Sequence, residues 1–254
     1  MKRHASLEDP YLRLLLYGKP GSTKTRTSGT AALCKHTEPV LWLNASGNPV
    51  SIRDYEKHPD IIDIERLKDL NDPYNWIMQG QDPKAEFAKK FELRPPYKAL
   101  VVDQITDVQR MSYAMATGNQ KMLPGDTPKP HQIQQFQMIL GQTVNFAKLY
   151  FELPLHVIMT ALEKDATDKV GNVYHSPMLI GQSSTEVPGY ATIVGRLQHV
   201  KAAKPNVAKS SKAKISVGHF TEALSHHAKD NFGRLPSVMG DPTICDILDL
   251  ILAP

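Results

Sequence analysis

The residues best suited to chemistry lie together in Gly18-Lys19-Pro20-Gly21-Ser22-Thr23-Lys24-Thr25. Their types and spacing follow the phosphate-loop pattern G-x-x-x-x-G-K-[ST]. The match holds at Gly18, Lys24 and Thr25, with Thr23 where the second glycine is expected. In such a loop, backbone N–H groups curl around phosphate oxygens and the following helix adds the partial positive charge of its N-terminus. Lys24 would reach the β- and γ-phosphates of ATP, and the Thr25 hydroxyl would ligate Mg2+. Arg26, next in the chain, completes the expected nucleotide set. If the Thr23 slot demands a positive φ, threonine costs about 1–2 kcal/mol there that glycine does not.

A phosphate loop needs a strand before it and a helix after it. The apolar run Leu12 to Tyr17 ends at Gly18 and reads as a buried strand, while Lys24 to Lys35 has no breaker but Gly29 and reads as a helix. A second agreement comes from Asp103, which ends the apolar strand Ala99-Leu100-Val101-Val102. That is the place for a carboxylate that holds Mg2+ directly or through water. A strand-ending aspartate on its own is more often a helix cap; the loop makes the metal role the better reading.

Other elements complete an alternating pattern. Strands are expected at Val40 to Leu43 and Leu155 to Thr160, and a short strand with a turn over 60–72. Asp82-Pro83 should cap a helix running to Phe91, and a helix is expected over Gln104 to Thr117. Helical spacing of Ile133, Phe136, Ile139, Leu140 and Val144 predicts an amphipathic helix over His131 to Phe151. Strands alternating with helices point to one α/β domain over 1–254 with a mostly parallel sheet. Ile193 to Val200 and Ile215 to Phe220 suggest a C-terminal β-hairpin, and Pro242 to Leu252 a closing helix.

Charge is local. The chain has 30 Lys and Arg against 26 Asp and Glu, a net +4. Lys201, Lys204, Lys209, Lys212 and Lys214 lie in one stretch with no acid; removing these 5 from the 30 leaves 25 against 26, a net −1. The basic excess is therefore the expected hairpin loop at 201–214. It has neither arginine nor aromatic residues, so it suits sequence-independent contact with phosphates rather than base reading. A solvated loop is the plainer alternative. The stretch Glu163 to His175, read as a loop, offers Lys164, Lys169 and Tyr174 as a second candidate DNA surface. With 41% hydrophobic and 22% charged residues, the composition excludes collagen-like, coiled-coil and wholly disordered chains. No apolar run is long enough for a transmembrane helix and the N-terminus does not read as a secretory signal. Cys34 and Cys245 form no CxxC pair, which favours a reducing cytoplasm. His226-His227 has no second cluster at metal-ligand spacing.

Four segments resemble the RecA-like P-loop ATPases of bacteriophages, the RecA-core type associated with single-strand annealing recombination: residues 15–25, 100–107, 156–163 and 228–236. The stretches 177–181 and 188–190 are similar too, so the resemblance runs from about residue 12 to 252. It implies a RecA-like core without accessory domains, ATP and Mg2+ as cofactors, single-stranded DNA as partner, and a homo-oligomeric ring or filament with the nucleotide between subunits. Lys229 would then reach a neighbouring subunit's nucleotide, with Asn231 where arginine is common and Arg234 able to compensate. A single-strand-binding protein is a further implied partner, and the host cytoplasm the implied location.

The resemblance also bears on hydrolysis. Such enzymes place a water-activating glutamate after the second strand, where this chain has Asn44-Ala45-Ser46-Gly47. After the fourth strand, where His or Gln is common, it has Thr160-Ala161-Leu162-Glu163. Glu163 is the candidate substitute, although a glutamate opening a loop is commonly a solvated charge. Neither Asn44 nor Ser46 can act as a base comparable to a carboxylate. Lys24, Asp103 and Glu163 thus form the expected catalytic set, and hydrolysis is expected to be slow or absent. The function expected is ATP-binding recombination by annealing or pairing of single strands. The alternatives are a replication motor or helicase loader, and a nucleotide-locked scaffold.

Overall fold

The computed structural model describes residues 11–47, 49–118, 133–167, 171–201 and 214–253. Its strands are β1 (Arg13–Gly18), β2 (Val40–Asn44), β3 (Asp60–Asp63), β4 (Ala99–Asp103), β5 (His156–Thr167), β6 (Val173–Pro177), β7 (Ile193–Lys201), β8 (Lys214–His219), β9 (Lys229–Asp230) and β10 (Val238–Gly240). Its helices are α1 (Lys24–Gly29), α2 (Asn71–Met78), α3 (Glu86–Lys90), α4 (Ile105–Thr117), α5 (Ile133–Phe151), α6 (Ser183–Tyr190) and α7 (Ile244–Leu252).

One sheet runs in the order β10-β8-β7-β1-β5-β4-β2-β3, with β6 paired to β5 and β9 to β7. From β7 to β3 all neighbours are parallel, while β8 and β10 join antiparallel. Helices cover both faces, so the central strands read as continuous apolar runs. β1, β2 and β4 were legible for that reason. Alternate residues of each strand feed two cores. Leu15, Leu43, Val102 and Met159 pack with α4 and α5 on one side. Leu16, Trp42, Val101 and Ile158 pack with Ala31, Ala32 and α7 on the other. This is a mostly parallel α/β sheet flanked by helices, with the expected C-terminal hairpin formed by β7 and β8. The strand ending in Asp103 is separated from the phosphate-loop strand by β5.

Several elements differ from expectation. The first helix stops at Gly29 and tightens into a 3-10 turn over Thr30–Leu33. Its Thr and Gly content gives weak helical propensity. Asp82 caps a turn, accepting from the Lys84 N–H at 2.8 Å, and the helix begins only at Glu86. The stretch 163–175 is not simply a loop: β5 continues to Thr167 and pairs antiparallel with β6. α7 forms as expected, with Thr243 and Asp246 closing a capping box and Ile244, Ile247, Leu248 and Ile251 buried. The two cysteines, distant in sequence, are neighbours and unbridged; burial, then Cys34, push the Cys245 thiol up to about 11.

Candidate nucleotide site

The loop between β1 and α1 is shaped by two residues in the left-handed region. Gly21 has φ 78° and Thr23 has φ 72°. The slot that normally holds the second glycine therefore does demand positive φ, and threonine occupies it under strain. Its hydroxyl contacts the Ser22 carbonyl and the Ser216 hydroxyl of β8, each at 2.5 Å. Gly18 is fixed by close approach, because a Cβ there would lie 2.3 Å from the Leu197 carbonyl oxygen. Thr23→Ala keeps the strain, whereas Thr23→Gly removes it. The alanine variant is expected to be about 1 kcal/mol less stable than the glycine variant in urea unfolding.

Lys24 folds back onto the loop, donating to the Gly18 carbonyl at 2.8 Å and the Lys19 carbonyl at 3.1 Å. Burial lowers its ammonium to about 8, against the opposing pull of Asp103 and Glu163. Thr25 donates to one oxygen of Asp103 at 2.9 Å and Thr160 to the other at 2.5 Å. Burial pushes the Asp103 carboxyl up, and those two hydroxyls pull it down. The Ser22 hydroxyl oxygen is buried in the loop without a hydrogen-bond partner. An orphaned hydroxyl, an ammonium parked on carbonyls and a Thr–Asp pair together fit a phosphate chain with its Mg2+. Gly18 to Thr25, with Asp103, are thus brought together as expected. Arg26 lies within α1, its carbonyl accepting from the Tyr55 hydroxyl at 2.8 Å.

Glu163 is buried inside β5, its side chain 1% exposed, rather than a solvated charge opening a loop. Arg196 of β7 takes both its oxygens, with Nε at 2.9 Å and Nη2 at 3.2 Å. His175 Nδ1 lies 3.3 Å from Glu163 and 2.8 Å from Asp165, and Lys19 pairs with Asp165 at 3.1 Å. Glu163, Asp165 and His175 have the closeness of a metal cluster. Arg196 and Lys19 already compensate both carboxylates, so the group reads as an ion-pair network beside the phosphate loop. Arg196 was missed in the sequence because only strand register brings it to Glu163.

The AAA domain family matches residues 11–232. The chain belongs to that family. As a P-loop ATPase, this AAA domain is of a class that binds nucleotide and usually Mg2+. No curated protein matches the chain. Among solved structures it is similar to the flagellar accessory protein FlaH from Methanocaldococcus jannaschii, at 9% identity over 91% of this chain and 85% of that chain, with a TM-score of 0.41.

The remaining expected site residues of the AAA domain are dispersed. Lys229 pairs with Val194 in β7, near the strand starts and away from its own phosphate loop. It donates to the Ala191 carbonyl at 2.8 Å and the Gly189 carbonyl at 3.2 Å. Arg234 reaches back to the Ile251 carbonyl at 2.7 Å. Lys164 donates to the Leu179 carbonyl at 2.7 Å, and the Tyr174 hydroxyl to Glu222 at 3.0 Å. Lys201 and Lys214 face each other in register at the end of β7 and β8. Lys169, Lys204, Lys209 and Lys212 lie outside the described residues. Among the described residues, no helix is long and apolar enough to cross a membrane.

Proposed function

We propose that this AAA domain is an ATP-binding, single-stranded-DNA-binding recombination protein of the phage annealing type, with slow hydrolysis. One observation carries the reading. The β7–β8 hairpin, whose strands lead into the lysine segment 201–214, is hydrogen-bonded to the phosphate loop at His199 and Ser216, two register pairs before that segment. His199 Nε2 meets the Gly21 carbonyl at 2.5 Å, and Ser216 meets Thr23 at 2.5 Å. The phosphate loop and the hairpin thus share contacts, and a nucleotide held in that loop would bear on the arm that leads into the basic segment. Lys24 and Asp103 serve phosphate and Mg2+, and Glu163, with Asp103, offsets the burial that discharges Lys24. The domain works as a homo-oligomer, with Lys229 acting on a neighbour's nucleotide, in a bacterial cytoplasm alongside a single-strand-binding protein.

Annealing of complementary oligonucleotides, with and without ATP, tests this. Faster annealing is expected with the protein, stimulated by ATP. If five lysines contact the strand, log affinity falls against log salt with a slope up to roughly −3.5. A salt-independent affinity, or no binding, contradicts the DNA assignment. Unwinding of a forked duplex would instead indicate a motor.

A further inference from the structure

A polar row crosses four parallel strands, at the C-terminal ends of β2, β3 and β4 and at Thr160 within β5. Strand register sets Asp63 of β3 beside Asn44 of β2, Asn44 beside Asp103 of β4, and extends the β4–β5 pairing to Thr160 of β5. Register partners on neighbouring strands point to the same face. That face is the one of Trp42, Val101 and Ile158, each two residues earlier in its strand and packed with Ala31 and Ala32. Asp103 is already tied to the phosphate-loop helix through Thr25, and Thr160 donates to the other Asp103 oxygen. Asn44 stands next in that row, one strand spacing (about 4.8 Å) from Asp103.

Asn44 is only 4% exposed. Its Nδ2 donates to Asp63 Oδ1 at 2.6 Å. That bond fixes which way the amide points, since the reverse orientation would set its oxygen against a carboxylate. The remaining atom, Oδ1, is buried and has no hydrogen-bond partner. A buried amide oxygen without a donor costs free energy that a structural role does not explain. The backbone is also pinned here, with the Ala45 and Ser46 N–H groups donating to the Asp103 carbonyl at 2.7 and 3.1 Å. An oriented acceptor therefore waits beside the Mg2+ carboxylate, supported by a second carboxylate.

We infer that Asn44 orients the attacking water in ATP hydrolysis and that Asp63 is the positioning residue that holds the Asn44 amide. The inference rests on the slow-ATPase reading. Asn44 Oδ1 accepts a hydrogen bond from water, as a glutamine does in other P-loop enzymes. The water oxygen bonds to the γ-phosphorus, and the bond from that phosphorus to the β–γ bridging oxygen breaks with its electron pair on ADP. The water's proton leaves on inorganic phosphate, because an amide accepts no proton. An orienting amide in place of a base accounts for turnover that is slow rather than absent.

Two readouts test this on the full chain: steady-state phosphate release, and equilibrium affinity for a fluorescent non-hydrolysable ATP analogue with Mg2+. Asn44→Leu is expected to lower kcat by about ten- to a hundredfold with analogue affinity within about twofold of wild type. Asn44→Ser gives the same split should the leucine variant fold poorly. Asp63→Ala lowers kcat by about fivefold without changing KM, and Asp63→Asn restores it, since an amide oxygen still accepts from Asn44. Wild-type turnover by Asn44→Leu, failure of Asp63→Asn to recover, or a wild type that binds the analogue without hydrolysing ATP overturns the inference while leaving the nucleotide site standing. Analogue binding that is absent, or unchanged by Lys24→Ala, overturns the nucleotide reading and this inference with it.

Discussion

Lys24→Ala is expected to weaken ATP affinity by about 2–4 kcal/mol, roughly thirty- to a thousandfold, with little loss of fold stability. The Lys24 ammonium is buried inside the loop, and it sits on two loop carbonyls it can leave for phosphate oxygens. The fold gains nothing from the charge. Burial lowers Lys24 from 10.5 to about 8, so the folded state penalises the charged form. That penalty is full below pH 8 and vanishes as pH rises to 10.5. Nucleotide affinity runs the other way, because only the charged form binds phosphate well. Between pH 7 and pH 9, ATP affinity should fall about tenfold in wild type and stay flat in Lys24→Ala. Isothermal titration across that range checks both. An alanine variant that binds ATP like wild type contradicts the assignment of the loop.

Arg196→Met is expected to cost about 3–5 kcal/mol of stability, measured by urea unfolding. The guanidinium, 11% exposed, is the bidentate partner of a carboxylate that is 1% exposed. Removing it leaves Glu163 with only the 3.3 Å contact to His175. Losing both charges is a different matter, since an apolar pair of similar volume avoids desolvation altogether. The double variant Glu163→Leu with Arg196→Met should therefore recover most of the loss. Loss of ATP affinity at unchanged pH is also expected in the double variant, because one of the two carboxylates that keep Lys24 charged is gone. A double variant as unstable as the single one would show that packing, not charge, holds this corner.

The phosphate loop was legible because its chemistry depends on residue types at fixed local spacing, and Asp103 because a carboxylate ending a buried strand stands out against apolar neighbours. Even the strain at Thr23 was readable as a condition, and φ 72° fulfils it. What escaped depends on register. Glu163 looked like the start of a loop, since the alternation that extends β5 to Thr167 is weak in Lys164-Asp165-Ala166-Thr167. Arg196 reaches it only because β5 and β7 both flank β1. Asp63 and Asn44 are likewise brought side by side by parallel pairing across a long connection. Helix α6 carries Pro188 and Gly189 and has almost no amphipathic contrast, so its sequence gives no helical signal. Lys164, expected on a DNA-facing loop, lies in β5 and donates to the Leu179 carbonyl, a partner that only the fold supplies.

Steady-state phosphate release at saturating single-stranded DNA, with wild type beside Lys24→Ala, addresses the central claim most directly. Expected is a measurable turnover well below about one per second, the low end of ordinary enzymes, which disappears in the variant. Turnover of about one per second or faster would contradict slow hydrolysis, and turnover surviving in Lys24→Ala would contradict the site.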